Sequence, residues 1–240
     1  MVSKGNQGDN PSDSKEEFCR FCHLLYERHL ASGVGGNIAA RSGNSILLTP
    51  TDYSLRDLHP HIVSVISEKG LLVEGEKPTK EANMHLRVLR QRPDINVVFH
   101  LHGPHITAAS TMFEPGPNTL PALTPGFIYY AYPLPMLPFM VPGTGDLAKA
   151  VTQKLSGNGA YAVLLKSHGL VTVGKSFEEA LNIAEEIDEA ARVYLLTGGK
   201  ATPIPAENID KIKLMQFTTP HFDFKKPQYI GGGGVKCIAP

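Results

Sequence analysis

Several features that mark whole classes of protein are missing from this sequence of 240 residues. The 23 Lys and Arg residues balance the 23 Asp and Glu residues, so the formal net charge is zero. Without a basic excess, the composition gives no indication of binding to nucleic acid or to an anionic membrane surface. No apolar run approaches the roughly 20 residues that cross a bilayer. The composition therefore predicts one large globular domain or two small ones, with neither nucleic acid nor membrane as partner.

Cysteine is also scarce, with three residues in the whole chain. Cys19 and Cys22 form a C-x-x-C pair inside a helical pattern, and no second pair completes a zinc site. We favour buried thiols in a reducing cytoplasm over a zinc or redox site. The polar segment 1–14 lacks the apolar stretch of a secretory signal, and it is predicted to be disordered.

Between residues 15 and 200 the hydrophobic pattern alternates between helical and strand periodicity. Helices are predicted at 16–30, 79–91, 104–112, 145–155 and 178–196. Strands are predicted at 45–49, 62–66, 71–75, 95–102, 162–165 and 170–173. This order indicates one α/β domain with short strands and flanking helices, not a parallel βαβ repeat. The proline-rich stretch 115–142 is interpreted as connecting chain, and 201–240 as a tail that packs on the domain or a neighbouring subunit.

Two histidines end the predicted strand at 95–102. Alternate residues of a strand share a face, so the side chains of His100 and His102 project side by side. His168 follows a second apolar run, where another loop is expected to reach the same edge of the sheet. Three neutral imidazoles suit Zn²⁺, and also Mn²⁺, Fe²⁺, Co²⁺ or Ni²⁺, with a position left open for substrate. The alternative is three unrelated histidines, and we favour the metal site.

Glu81 is the fourth candidate, at the start of the helix predicted for 79–91. A carboxylate there also complements the helix dipole, which is the simpler interpretation. That role is compatible with catalysis, because a carboxylate near a divalent cation can ligate it and then act as acid or base. The sequence therefore predicts Glu81 as both a metal ligand and the catalytic residue.

Three turns offer groups that bind anions, although ordinary turn chemistry explains each one separately. They contain Asn37, Thr49, Thr51, Thr79 and Lys80. By contrast, the P-loop pattern at 169–176 is rejected, because its middle positions are Leu, Val, Thr and Val, which are typical of a strand.

Taken together, these segments resemble the class II aldolase/adducin family. The matching pieces occur in the family's order between about residues 16 and 198, and as a set they are highly specific. They are Gly36–Arg41, Leu48–Thr51, Pro78–Glu81, Arg92–His102, Gly143–Thr144, Ser167–Gly169 and the last helix.

The resemblance implies a central, mainly antiparallel sheet and a homotetramer with sites at subunit interfaces. It implies that His100, His102 and His168 bind a divalent metal, typically zinc, with Glu81 as ligand and acid/base. Substrate oxygens would chelate the metal, which would stabilise an enediolate. Asn37, Thr49, Thr51, Thr79 and Lys80 fall where the family binds the substrate phosphate.

Two branches of the family are candidates for the reaction. We favour decarboxylation of a 3-oxo-tetronate 4-phosphate type of substrate, with aldol cleavage of a sugar phosphate, as in L-fuculose-phosphate aldolase, as the alternative. Asp52 and Gly126 depart from both patterns, which tend to have glycine and tyrosine there. A carboxylate at Asp52 would oppose a phosphate unless Lys80 or Arg41 pairs with it. An epimerase, an iron oxygenase and a non-catalytic adducin-like module are less favoured.

Overall fold

A computed structural model describes residues 11–157 and 159–218 of the chain. Helices and short strands alternate along these residues, as predicted. The helices are α1 (Pro11–Glu27), α2 (Ala82–Gln91), α3 (Pro104–Met112), α4 (Pro125–Tyr130), α5 (Gly145–Leu155), α6 (Phe177–Leu196) and α7 (Ala206–Thr218). The strands are β1 (Asn37–Ser42), β2 (Ser45–Leu48), β3 (Ser64–Ser67), β4 (Leu72–Glu74), β5 (Val97–Leu101), β6 (Met136–Leu137), β7 (Ala162–Leu165) and β8 (Gly169–Gly174).

The strands form one sheet of eight in the order β4-β3-β2-β1-β5-β8-β7-β6. Every neighbouring pair is antiparallel except β6 and β7, which run parallel at one edge. The predicted α/β domain with a mainly antiparallel central sheet is therefore confirmed. Strand β8 occupies the middle of the rejected P-loop pattern, in agreement with its apolar sequence.

Helices cover both faces of the sheet, so the central strand β5 is buried on both sides. Phe99 belongs to a core shared with α1, α3 and α6, whereas Val98 belongs to a second core shared with α2 and α5. Because side chains alternate along a strand, His100 lies on the same face as Val98. The first predicted ligand thus points toward the layer that contains α2, which Glu81 precedes.

The structure differs from the sequence prediction inside the domain. The sequence does not predict β1, because its two alanines have little strand preference and its apolar pattern is short. Helix α2 begins at Ala82 and not at Thr79, since the Thr79 hydroxyl accepts a hydrogen bond from the Glu81 backbone N–H in a turn. The connecting stretch 115–142 contains α4 and β6. The bounds predicted for α3, α5 and β7 are confirmed.

Both ends of the described chain also differ in detail. Helix α1 spans Pro11–Glu27 and not the predicted 16–30. Within the segment interpreted as a tail, α7 packs against α4, and the Ile204 backbone N–H donates to the Ala122 carbonyl (2.8 Å). The disorder predicted for 1–14 is wrong for residues 11–14, which belong to α1, because the helix continues toward the N-terminus past the apolar stripe that predicts it. Residues 1–10 of that segment and the tail beyond 218 lie outside the described residues. No helix in the described ranges is both long and apolar enough to cross a membrane.

Arg92 joins the end of α2 to the end of α5. Its side chain is 3% exposed and forms two hydrogen bonds of 2.7 Å with the Asp94 carboxylate. Its Nη1 donates to the carbonyls of Leu155 (2.8 Å), Ala160 (2.9 Å) and Gly157 (3.2 Å). One guanidinium therefore satisfies three carbonyl oxygens at the end of a helix, a position that has no intrahelical donors.

We expect Arg92→Met to lower the free energy of unfolding by about 3 kcal/mol, because it takes the guanidinium donor from the buried Leu155 carbonyl and also removes the bonds to Gly157 and Ala160. Urea unfolding followed by circular dichroism measures the loss. The control is Arg90→Met, which replaces an exposed arginine of the same helix and should change stability by less than about 0.5 kcal/mol. Equal losses in the two variants would contradict the structural role of Arg92.

Candidate metal centre

The sheet topology brings three histidines from two segments to one edge. His100 lies near the end of β5, and His102 is the first residue after that strand. Strand β8 pairs with β5 in antiparallel register, with Leu101 opposite Leu170, so the turn before β8 reaches the end of β5. That turn carries His168. The topology therefore places the three predicted ligands next to each other.

The Nε2 atoms of the three rings converge. The His100 Nε2 atom lies 2.9 Å from that of His102 and 3.2 Å from that of His168. Two nitrogens about 2.1 Å from one tetrahedral zinc ion are separated by about 3.4 Å. The His100 Nδ1–H donates to the Leu170 carbonyl at 3.1 Å, which orients the ring so that its Nε2 faces the other two rings. Three converging ring nitrogens of this kind fit a divalent cation.

The electrostatics keep His102 and His168 in the form that binds metals. Burial, followed by the neighbouring His100, lowers the pKa of His102 to about 3. The same two causes lower the pKa of His168 to about 4. Both imidazoles are therefore neutral at pH 7, and metal ligation requires a neutral imidazole.

Glu81 completes the cluster from the other side. Its Oε2 lies 3.2 Å from His100 Nε2 and accepts a hydrogen bond of 2.9 Å from Asn37 Nδ2. Burial alone would raise the pKa of this carboxyl, but His100 and Asn37 outweigh it and hold the pKa well below its usual range. Its Oε1 is buried and has no hydrogen-bond partner in the described part of the chain. The Glu81 side chain is thus an anion in which Asn37 binds Oε2, while Oε1 is available to bind another group.

Asn37 contacts Glu81, and His85 in turn contacts Asn37. Asn37 lies on β1 directly opposite His100 on β5, which explains its reach to the cluster. His85 is fully buried on α2, and its Nε2 lies 2.5 Å from Asn37 Oδ1. No motif in the sequence marks His85, although its spacing of four residues from Glu81 places both on one helix face.

A cavity of about 230 Å³ opens beside the cluster, with Glu81 and His102 in its wall. Four of the five predicted substrate-binding residues also line it, namely Asn37, Thr51, Thr79 and Lys80. Thr49 does not: it is 2% exposed, and its hydroxyl accepts a hydrogen bond from the Ile38 backbone N–H. The cavity therefore joins the metal cluster to the predicted anion-binding turns.

Asp52 and Lys80 face each other at this cavity. The Lys80 Nζ lies 3.3 Å from Asp52 Oδ1, and both side chains are largely exposed. Two backbone hydrogen bonds hold their turns together, from Thr51 N–H to the Lys77 carbonyl and from Thr79 N–H to the Thr49 carbonyl. Of the two basic residues considered as partners of Asp52, Lys80 is thus the one that pairs with it. Arg41 instead donates to backbone carbonyls.

Gly126 lies on α4 against the carboxylate of Glu186 on α6. A Cβ at this position would lie 2.0 Å from Oε2 of Glu186. No larger side chain fits there unless Glu186 moves. A tyrosine at this position therefore requires the Glu186 side chain to adopt another conformation.

The chain belongs to the class II aldolase and adducin family. Residues 16–195 match the family described as Class II Aldolase and Adducin N-terminal domain. An L-fuculose phosphate aldolase of Methanococcus maripaludis is 33% identical over 185 residues, which are 77% of this chain and 98% of that one. A 3-oxo-tetronate 4-phosphate decarboxylase of Haemophilus influenzae is 31% identical over 189 residues, which are 78% of this chain and 89% of that one.

Solved structures place the fold in the same family. YgbL from Klebsiella pneumoniae, provisionally described as an aldolase/epimerase/decarboxylase, matches with a TM-score of 0.79 at 29% identity and covers 85% of this chain and 100% of its own. An L-fuculose 1-phosphate aldolase matches with a TM-score of 0.74 at 27% identity over 87% of this chain and 98% of its own. Class II aldolases are metal-dependent, and the three-histidine group is present here. The chain thus has a class II aldolase-family function.

Proposed function

We propose that the protein is a metal-dependent carbon–carbon lyase, with His100, His102 and His168 as metal ligands and Glu81 as both ligand and acid/base. The observation that carries the proposal is the convergence of three imidazole nitrogens and a buried carboxylate beside one cavity. We propose zinc as the metal, because a set of nitrogen ligands with one carboxylate suits Zn²⁺. When bound, the cation polarises a substrate carbonyl and stabilises the electrons released by bond cleavage.

Glu81 provides the proton transfer. Its free Oε1 accepts the proton of a substrate hydroxyl, while Asn37 holds Oε2 in place. In the decarboxylation that we favour, the bond between the carboxylate carbon and the hydroxyl-bearing carbon breaks, CO2 leaves, and the electron pair passes into the adjacent carbonyl. Glu81 then returns the proton to carbon, and water supplies the proton that restores the hydroxyl.

Decarboxylation requires fewer proton-transferring groups in the cavity than aldol cleavage does. Glu81 and Asp52 are the carboxylates in the cavity wall among the described residues, and Asp52 is paired with Lys80. One proton carrier is enough for the loss of CO2, whereas aldol cleavage also requires proton transfer at the departing aldehyde. Aldol cleavage of a sugar phosphate is the second candidate, because the L-fuculose phosphate aldolase of Methanococcus maripaludis is slightly more similar in sequence than the decarboxylase.

The anionic end of the substrate would lie at the turns that contain Thr51, Thr79 and Lys80. Their hydroxyl and ammonium groups are donors suited to a phosphate. Asp52 competes for Lys80, so we expect phosphate binding to be weaker here than in a site without this carboxylate. The homotetramer with sites at subunit interfaces and the cytoplasmic location stay predictions.

A substrate panel tests the proposal. We expect the zinc-loaded protein to release CO2 from 3-oxo-tetronate 4-phosphates and to leave sugar phosphates largely intact. Coupled assays for CO2 and for aldehyde measure the two products, and protein stripped of metal by a chelator is the control. Release of an aldehyde would favour the aldolase, and an isomer without a fragment would favour an epimerase. Undiminished turnover by the metal-free protein would refute the metal-dependent mechanism.

A further inference from the structure

His85 is a buried histidine that the mechanism above does not use. It lies on α2 one turn after Glu81 and is 0% exposed. Burial, with His100 as a further cause, lowers its pKa to about 3, so the ring is neutral and carries a single N–H. Its Nε2 contacts Asn37 Oδ1, whereas its Nδ1 has no hydrogen-bond partner among the described residues. A neutral imidazole held by one contact in an apolar layer requires an explanation.

The directions of the hydrogen bonds in this group follow from chemistry. The Glu81 carboxylate only accepts, so the Asn37 atom 2.9 Å from its Oε2 is the amide nitrogen. The amide oxygen of Asn37 therefore faces His85, and it also only accepts. The proton of the His85 ring must then lie on Nε2. The Nδ1 atom then carries no proton, and no donor group binds its lone pair among the described residues.

We propose that His85 is a positioning residue that sets the orientation of the Asn37 amide and, through it, of the Glu81 carboxylate. This inference rests on the proposed function of Glu81. The donors run in one direction, from His85 to Asn37 to Glu81. A reversed amide would bring its oxygen against the carboxylate, and the N–H of His85 prevents that reversal. The relay holds Oε2 of Glu81 next to His100 and leaves Oε1 free for the proton.

Loss of the His85 donor has two consequences. The Asn37 amide loses the partner of its oxygen, so its hydrogen bond to Glu81 is no longer enforced. The carboxylate then occupies several orientations, which weakens metal binding and slows proton transfer together. Residues that orient metal ligands in this way typically contribute about 10-fold to 100-fold in metal affinity or activity.

Three variants of the full-length chain separate this role from simple core packing. His85→Leu fills the space but has no donor. His85→Gln keeps an amide N–H at the end of the side chain and can still donate to Asn37. Val88→Ala removes buried methyl groups from the same helix without touching the relay, and it is the control for lost stability. Zinc affinity is measured by competition with a chromophoric chelator, and kcat and KM are measured with the substrate found by the panel.

We expect His85→Leu to bind zinc about 10-fold to 100-fold more weakly and to lose a similar factor in kcat, with KM little changed. His85→Gln should regain most of both, and Val88→Ala should keep both. Nitrogen-15 NMR of the wild-type protein should find the His85 proton on Nε2. A proton on Nδ1, or zinc affinity in His85→Leu equal to that of wild type, overturns the proposal. The affinity and the tautomer decide the matter even if no substrate turns over, and if His85→Leu does not fold, the tautomer of the wild-type protein decides it.

Discussion

His100→Ala is expected to lose bound metal and activity together, with kcat/KM at least about 1,000-fold below wild type. The reason is geometric, since the Nε2 of His100 lies within 3.2 Å of ligand atoms from each of the other three members of the cluster. Removal of the His100 side chain takes away one ligand and also the ring that the other three members of the cluster all contact. Metal content by elemental analysis and steady-state kinetics on one preparation measure the two losses.

The chain offers a matched control for this experiment in a second H-x-H motif. His59 and His61 are exposed, and their rings stack on each other with centroids 5.7 Å apart. They are not part of the metal cluster found in the described residues. The double variant His59→Ala/His61→Ala should therefore keep the full metal content and rate. A His100→Ala protein that retains both metal and turnover would sink the metal assignment.

Glu81→Gln is expected to separate metal binding from catalysis. Glutamine has nearly the same shape, and its amide oxygen still accepts from Asn37, but it cannot take up a proton. We expect kcat to fall by about 1,000-fold, within the range of general acid–base catalysis, while the three histidines and the oriented amide oxygen of glutamine keep the metal bound. Steady-state kinetics and metal analysis of the same sample provide the comparison.

Glu68→Gln is the control, because Glu68 is an exposed glutamate in a turn far along the sheet. Its rate and metal content should equal those of wild type. A Glu81→Gln protein with kcat within about 10-fold of wild type would mean that another group carries the proton. Loss of metal in Glu81→Gln, with the histidines intact, would instead make the carboxylate an essential ligand.

Local pattern is informative wherever one segment carries its own signal. The helices α3 and α5 begin after residues that favour helix starts, and the apolar run of β7 is continuous, so their bounds are predictable. The alternation along β5 fixes which residues share a face with His100. The residue types of the candidate metal cluster are likewise predictable from the sequence, since three His and one Glu stand at the ends of predicted elements.

Other features depend on contacts between distant segments. Strand β1 forms because β2 and β5 provide partners on both sides, although its own sequence signals a strand only weakly. Thr49 resembles a substrate contact in sequence, yet the hydroxyl serves the backbone of Ile38. The pairing of Asp52 with Lys80 requires that two turns separated by 28 positions meet.

The sequence by itself determined the α/β class, most elements, and the three histidines and glutamate of the candidate centre. Periodicity and residue chemistry are local properties, so the sequence shows them without the fold. Only the tertiary structure decided that His168 meets His100 across 68 positions, that His85 lies behind Asn37, and that Thr49 turns away from the cavity. Such outcomes follow from the register of paired strands and the burial of helices, and both are properties of the folded chain.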